Sequence, residues 1–249
     1  MNNSILRDNG VAPHLSSRYV RVDTAEVVRT LEADGFKLVG VRQDRVRARD
    51  PRWSRHELDF RHPELDAKPL SDGTVPRVLF INSHNGTTRA RFLVGAFRFV
   101  CTNGLIVGST LGDERVRHMG DSARTIIDRI REQSKAAPAL FERLGRWERT
   151  KLSRAAQLDL ATKALELRFG EGAAQRYQAA DLLVPQRQED ERDDVWHVFN
   201  RIQENGTRTR LIGHNAQGRR VQARGIANIS ADHAWNQGLW RLAAEVAEA

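Results

Sequence analysis

An α+β fold is the class that the order of residue patterns along this chain predicts. Residues 77–84 and 88–94 form two strand-like stretches on either side of Asn85-Gly86, the dipeptide most typical of a β-hairpin. From residue 121 onwards the apolar residues recur with helical spacing instead. Because strands come mainly first and helices second, we expect an antiparallel β-hairpin sheet in the N-terminal half, packed with helices from the C-terminal half.

The first predicted element is a helix over 20–36. Asp23 or Thr24 can accept hydrogen bonds from its first free amides, and Gly35 can end it. The hairpin turn at Asn85-Gly86 is expected to contain two residues, both with positive φ. Strands are predicted at 36–48, 53–63, 77–84 and 88–94.

Helices are predicted for most of the remaining chain. Pro138 divides the first helical stretch into two segments, and Ser153 and Gly170 are placed to begin and end the next helix. Asp232 is expected to cap the last helix, and 186–194 is expected to be an acidic, solvated turn. The predicted helical segments are 121–147, 153–169, 195–203 and the stretch after 232.

Length and composition set the domain organisation that we expect. With 249 residues, the chain can form one large domain or two small ones, and we predict one α+β domain over 19–249 after a flexible N-terminus over 1–18. Its parts are predicted to be a β-rich part at 19–112, a helical part at 113–184, and a basic loop with the C-terminal helix at 195–249.

Cellular location and charge follow from the same composition. The single cysteine, Cys101, excludes an intramolecular disulfide, and the sequence has no apolar run long enough for a membrane span and no signal-peptide pattern at its start. We therefore expect a cytoplasmic protein with no membrane partner. The chain has 35 Arg, 5 Lys and a formal net charge of +8. Arginine suits phosphate binding, although a GC-rich genome produces the same bias.

Two long segments contain arginine but neither Asp nor Glu, and they predict where an anion binds. These segments are 73–112 and 205–231. In the first, strand alternation places Arg89 and Arg91 on the face opposite Phe92, so we expect exposed arginines without a local carboxylate competitor and a core of aromatic rings. The second is expected to be a flexible basic loop or ribbon. The predicted nucleic-acid-binding residues are Arg89, Arg91, Arg98, Asn103, Arg208, Arg210, Arg219, Arg220 and Arg224.

Catalytic motifs do not emerge from the sequence, and no catalytic residue, metal site or cofactor is predicted. The spacing of Cys and His fits no zinc motif, and no phosphate-binding loop is present. One rival hypothesis is a metal-dependent nuclease, and another is a protein-interaction module that contacts a host protein. The nuclease would use His56, Glu57, Asp59, His62, Glu64, Asp66 and His118, although the first six also fit a polar strand and the loop that follows it.

Three segments resemble the phage/plasmid-like proteins grouped as domain of unknown function 932. The pattern aromatic-Arg-x-Val-Cys-x-Asn-Gly-Leu within the first segment is the most specific part of this resemblance. The segments are GAFRFVCTNGLIVG at 95–108, RVRHMGD at 115–121 and GIANISADHAWNQGLWRLAAEVA at 225–247. The resemblance implies an origin in phages, plasmids or other mobile elements and makes DNA handling the expected role.

A second resemblance is architectural. A basic hairpin sheet followed by helices is similar to the single-strand annealing recombinases of phages, which implies single-stranded DNA binding, strand annealing in recombination and assembly into homo-oligomers. The sequence thus predicts a DNA-binding protein that favours single strands, and it favours a binder over an enzyme.

Overall fold

The chain divides into two compact units in a computed structural model. The first unit contains residues 1–105 and 110–141, and the second contains 106–109 and 142–249. A single domain over 19–249 stays a prediction. The residues that the structure describes are 10–17, 19, 21–44, 51–62, 70–71, 73–97, 112–116, 128, 132, 137–208, 211–215 and 217–248.

The predicted α+β class is confirmed. The described elements of the first unit are α1 (Thr24–Ala33), β1 (Lys37–Gln43), β2 (His56–Arg61), β3 (Val75–Asn82), β4 (Ala90–Phe97) and β5 (Gly112–Val116). Helix α2 (Ala137–Trp147) crosses from the first unit to the second. The second unit continues with α3 (Arg154–Phe169), α4 (Ala179–Leu182), α5 (Val195–Thr207), β6 (Ile212–His214), β7 (Arg220–Gln222) and α6 (Ile229–Glu248). None of the described helices is both long and apolar enough to span a membrane.

An antiparallel sheet in the order β1-β2-β3-β4-β5 forms the described centre of the first unit. One face of this sheet packs against α1, because alternate strand residues such as Phe60, Phe80 and Phe92 join the helix residues Val27 and Leu31 in one buried cluster. The rings of Phe80 and Phe92 stack with centroids 4.6 Å apart. The prediction that Phe92 belongs to the core is confirmed.

Helix α1 begins where the sequence predicts. Asp23 is its N-cap, and the Asp23 Oδ1 atom accepts hydrogen bonds from the amides of Ala25 at 2.8 Å and Glu26 at 3.4 Å. Gly35 follows the helix with a φ of 93°. In the stretch before the helix, Ala12 is buried and its amide donates to the His84 carbonyl at 2.9 Å.

The predicted hairpin is confirmed, but its two-residue turn is wrong. Strand β3 ends at Asn82 and β4 begins at Ala90, so residues 83–89 connect them. The Ser83 hydroxyl closes this wider loop, because it donates to the Thr88 carbonyl at 3.2 Å and accepts from the Thr88 amide at 3.1 Å. Hydrogen bonds of the Ser83 side chain thus take the place of the backbone hydrogen bonds that would pair the two strands up to a tight turn.

Helix α5 is the centre of the second unit, and all its residues are buried. It was predicted to end at 203, but it continues through Gly206 to Thr207. A Cβ at Gly206 would collide with the ring of Trp235, so glycine at this position allows a close helix contact and does not mark the helix end. Asp194 caps the helix through its bond to the His197 amide at 3.1 Å.

Helix α3 and the last helix, α6, follow the predictions with one correction, whereas the short helix α4 was not predicted. Ser153 caps α3 and Gly170 ends it, as expected. Asp232 was expected to cap the last helix, but it lies inside α6 and is buried. Asn228 performs the capping role, since its Oδ1 atom accepts from the Ala231 amide at 3.1 Å.

Candidate nucleic-acid interface

The second acid-free segment contains a two-stranded antiparallel ribbon. Strands β6 and β7 pair with Gly213 opposite Val221. Asn215 shapes the turn between them, because its Oδ1 atom accepts from the amides of Gln217 at 3.0 Å and Arg219 at 2.9 Å. The predicted basic loop or ribbon is therefore a short hairpin with a turn closed by hydrogen bonds.

Backbone contacts attach this ribbon to the body of the second unit. Gly213 forms a β-bridge with Tyr177, and the His214 amide donates to the Arg176 carbonyl at 3.1 Å. A Cβ at Gly213 would collide with that carbonyl and with the Tyr177 ring, so this close approach requires glycine. At the base of the ribbon, Leu211 and Ala223 are buried and share a backbone hydrogen bond of 2.9 Å.

Three of the predicted binding arginines are exposed on the ribbon and the segment after it. These are Arg219, Arg220 and Arg224. Within the described part of the chain, no carboxylate forms an ion pair with their guanidinium groups. Arginine side chains in this state can pair with an arriving phosphate without first releasing a protein carboxylate.

Arg208 is held differently, although it belongs to the same predicted set. Its Nη1 atom lies 2.8 Å from Oε1 of Glu204, a carboxylate whose side chain is only 4% exposed. Arg187 contacts the other oxygen of Glu204 at 3.1 Å. Arg208 therefore compensates a buried charge at the end of α5, and Arg210 lies outside the described residues.

The first acid-free segment is less accessible than the sequence suggests. Arg89 is exposed just before β4, but Arg91 is half-buried, and Leu79 and Leu93 on the same sheet face as Arg91 are almost fully buried. Residues Arg98 and Asn103 lie outside the described residues, as does Cys101. The sheet face that was expected to present arginines therefore also contains buried leucines.

Arg77 shows that a neighbouring strand supplies a carboxylate that the segment itself lacks. The Arg77 Nη1 atom on β3 lies 2.9 Å from Oδ2 of Asp59 on β2, and the Arg77 side chain is 6% exposed. Burial raises the pKa of Asp59 to about 6, and the adjacent Arg77 guanidinium opposes that rise. The expectation that these arginines have no local competitor is wrong for Arg77.

His56, one of the histidines of the nuclease hypothesis, lies in a buried polar cluster. Its Nδ1 atom donates to the Ser54 carbonyl at 3.0 Å, and its Nε2 atom accepts from the Thr24 hydroxyl at 2.8 Å. The Nε2 atom of His84 lies 3.2 Å from the same hydroxyl oxygen. Burial lowers the pKa of His56 to about 4, so this imidazole is neutral at pH 7 and serves a structural network.

The remaining residues of the nuclease hypothesis do not converge in the described part of the chain. His62 donates from Nε2 to the Asp34 carbonyl at 3.0 Å, and Asp59 pairs with Arg77. Among the residues that the structure describes, no group of three His, Cys, Asp or Glu side chains is arranged to hold a metal ion. Glu64, Asp66 and His118 lie outside the described residues.

A column of packed aromatic and arginine side chains lies beside the ribbon, and sequence reasoning missed it. The rings of Phe169 and Tyr177 have centroids 4.6 Å apart with an interplanar angle of 31°. Arg168 lies over Phe169 at 4.8 Å, and Arg176 lies over Tyr177 at 5.9 Å. The available sequence signal was a pair of Arg-aromatic dipeptides on either side of a short glycine-containing loop.

Comparison with known proteins identifies the family. The chain matches the family model described as Domain of unknown function (DUF932) over residues 13–236. It belongs to the DUF932 family. This match spans both the sheet and the ribbon, and it confirms the resemblance that was predicted from the segments at 95–108, 115–121 and 225–247.

Two proteins of Escherichia coli (strain K12) are similar to this DUF932 chain. UPF0380 protein YfjQ is 34% identical over 238 residues, which cover 92% of this chain and 82% of the relative. UPF0380 protein YafZ is 34% identical over 228 residues, with the same two coverages of 92% and 82%. No solved structure matches the chain.

Proposed function

We propose that this protein binds DNA of a phage, plasmid or other mobile element in the cytoplasm, and that the ribbon is a principal contact. The observation that carries the proposal is the set of three exposed arginines, Arg219, Arg220 and Arg224, whose guanidinium groups pair with no described carboxylate. Phosphate neutralisation by such groups releases counterions and dominates nucleic-acid affinity. The attachment of the ribbon through Gly213 supports the proposal, because a fixed ribbon loses little conformational entropy on binding.

The finer parts of the proposal concern the form of the DNA and the contribution of the sheet. Single-stranded DNA is the proposed ligand, with strand annealing by a homo-oligomer as its use. Arg89 is a proposed second contact because it is exposed, whereas the half-buried Arg91 is a weaker candidate. A charge reversal at Arg91 would also place a carboxylate inside the sheet, so Arg89→Glu is the cleaner test of this surface.

The ribbon is tested by charge reversal in the double variant Arg219→Glu/Arg220→Glu. We expect its affinity for a labelled oligothymidine, measured by fluorescence anisotropy at low salt, to fall on the order of a hundredfold. The matched control is Arg154→Glu/Arg241→Glu, which makes the same change in net charge at exposed helix positions. Equal losses in the two double variants would show only a general charge effect and would contradict a ribbon-specific site.

Salt dependence and strand integrity complete the test. If three arginines neutralise phosphates on a single strand, the wild-type affinity should fall on the order of tenfold between about 50 and 200 mM salt. Affinity that does not change with salt would contradict the proposal. Incubation of the labelled strand with magnesium or manganese separates it from the nuclease hypothesis, since a binder returns the DNA intact.

A further inference from the structure

Phe169 and Tyr177 differ from the large aromatic residues of the second-unit core. Trp147, Trp196 and Phe199 are buried in that core, whereas Phe169 and Tyr177 are half-exposed at the end of α3 and in the loop after it. Their rings pack against each other in a tilted arrangement, with centroids 4.6 Å apart and an interplanar angle of 31°. An aromatic surface of this kind is a sequence-tolerant platform for a base, because every base has a π-face.

Both arginines of the column donate hydrogen bonds to backbone carbonyls, and they differ in exposure. Arg168 is fixed at the base of the ribbon, since its Nε atom donates to the Gly206 carbonyl at 3.1 Å and its Nη2 atom donates to the Arg224 carbonyl at 2.8 Å. Burial lowers the pKa of Arg168, although the guanidinium group stays charged at neutral pH. Arg176 is exposed, and its Nη2 atom donates to the Phe169 carbonyl at 3.1 Å. Its guanidinium lies 5.9 Å from the Tyr177 centroid, near the outer limit of a cation–π contact, so a base would compete with one solvent-exposed hydrogen bond. A base can displace this outer group or stack on its plane.

The hydroxyl of Tyr177 is also available to form a hydrogen bond. Tyr19, the other tyrosine of the chain, donates its hydroxyl to the Ser83 carbonyl at 3.0 Å, and burial raises its pKa to about 12. The Tyr177 hydroxyl has no hydrogen-bond partner among the described residues. A half-exposed ring with an unbonded hydroxyl can stack on a base and donate to a nucleic-acid acceptor.

The ribbon brings this platform close to the phosphate-binding arginines. Tyr177 pairs with Gly213 of β6, and β6 pairs with β7, which begins at Arg220. Neighbouring strands lie about 5 Å apart, so the Tyr177 backbone and β7 are separated by roughly 10 Å. A single strand whose phosphates lie along β7 can therefore place a neighbouring base on Tyr177.

We propose that Phe169 and Tyr177 form a base-stacking site for unpaired nucleotides beside the ribbon. This inference rests on the proposed function, because the ribbon arginines must first hold the nucleic-acid backbone. It adds a physical basis for single-strand preference, since bases in a duplex are already stacked on each other and cannot lie on the Tyr177 ring. The site has no preference for a particular base and accepts any flat heterocycle.

The test compares two single-stranded ligands with equal numbers of phosphates, an oligothymidine and an abasic oligodeoxynucleotide. Wild-type protein should bind the oligothymidine on the order of tenfold more tightly than the abasic strand, because stacking strengthens binding by about that factor per base. Tyr177→Leu should lose this difference while its affinity for the abasic strand and its salt dependence stay unchanged. Tyr177→Phe keeps the ring and is expected to retain the preference.

A strand containing 2-aminopurine gives a direct readout, since stacking on Tyr177 should quench its fluorescence with the wild type and with Tyr177→Phe but not with Tyr177→Leu. Equal wild-type affinity for the oligothymidine and the abasic strand would overturn the stacking site even if Tyr177→Leu fails to fold. Loss of abasic binding in a folded Tyr177→Leu variant would also overturn it, because the ring would then only support the ribbon. Binding of no ligand by the wild type would instead overturn the proposed function.

Discussion

The sheet of the first unit and the ribbon of the second contain the same sequence signal, arginines within a segment that lacks Asp and Glu. In the sheet, Arg77 is buried against Asp59 of the adjacent strand and Arg91 is half-buried. In the ribbon, Arg219 and Arg220 are exposed and pair with no described carboxylate. The same composition therefore yields buried, paired charges in one region and accessible charges in the other.

The difference comes from the number of neighbours that each strand has. Strand β3 lies between β2 and β4, so Asp59, which is distant in sequence, can approach Arg77 from the side. Strand β7 pairs only with β6 in the described sheet, and the facing residue of Arg220 is His214. An acid-free interval thus indicates arginines without a carboxylate partner only where the fold leaves the segment at an edge.

The largest expected effect of this difference is on stability. Arg77→Met removes the cation beside Asp59 and leaves a largely buried carboxylate, so we expect the free energy of unfolding of the first unit to fall by about 3 to 4 kcal/mol. The pKa of Asp59 should rise above its value of about 6, because Arg77 is the group that lowers it. Urea denaturation and an NMR titration of the Asp59 carboxyl measure the two effects.

Arg219→Met is the matched control in the ribbon. Because the Arg219 side chain is exposed, its replacement should change the free energy of unfolding by no more than about 0.5 kcal/mol. Equal stability of the Arg77→Met and Arg219→Met variants would show that the buried pair of Arg77 and Asp59 stabilises the fold no more than the exposed Arg219 does. That result would contradict the difference between the two regions.

The sheet should also respond to acid through His56. Its pKa of about 4 in the folded chain lies below its ordinary value of 6.5, so the unfolded chain binds the proton more readily. The contribution of His56 to stability is therefore complete above pH 6.5 and is lost as the pH falls towards 4. The total loss is on the order of 3 kcal/mol, at 1.36 kcal/mol for each pKa unit.

Measurement of unfolding free energy in steps between pH 7 and pH 4 checks this dependence. His56→Gln is the comparison variant, because glutamine can keep hydrogen bonds to Ser54 and Thr24 without titrating. The wild type should lose more stability over this range than the variant loses. Parallel pH curves for the two proteins would show that the His56 imidazole is not the source of the acid sensitivity.

Local signals predicted much of the fold because the capping and turn residues act within a few positions. Asp23 and Ser153 were among the expected caps, and Asn85-Gly86 correctly marked the hairpin. The errors arose where a distant residue decides the outcome. The helix predicted to end at 203 continues past Gly206, where the ring of Trp235 packs against the glycine, and the acidic turn predicted to be solvated buries Asp194 beside His197.

The candidate site was predictable only in part for the same reason. The exposed arginines Arg219, Arg220 and Arg224 follow from the charge pattern, and the ribbon was one of the two forms expected. The pairing of Arg208 with Glu204 spans a helical turn and was within reach of helix spacing, but the predicted helix ended at 203. The packing of Phe169 against Tyr177 depends on how the loop between them folds, and no periodicity encodes that.

The smallest expected effect separates two arginines of the same acid-free segment. Arg208→Ala removes one of the two cations that hold the buried Glu204, so it should lower the free energy of unfolding of the second unit by about 1 kcal/mol. Arg219→Ala should leave stability unchanged but reduce the slope of log affinity against log salt by about 0.7 for a single strand, one phosphate contact. Arg208→Ala should leave that slope unchanged, because the guanidinium is already neutralised by Glu204. An equal reduction in both variants would mean that DNA competes successfully with Glu204 for Arg208, and pairing in the free protein would then be a poor guide to which arginines bind.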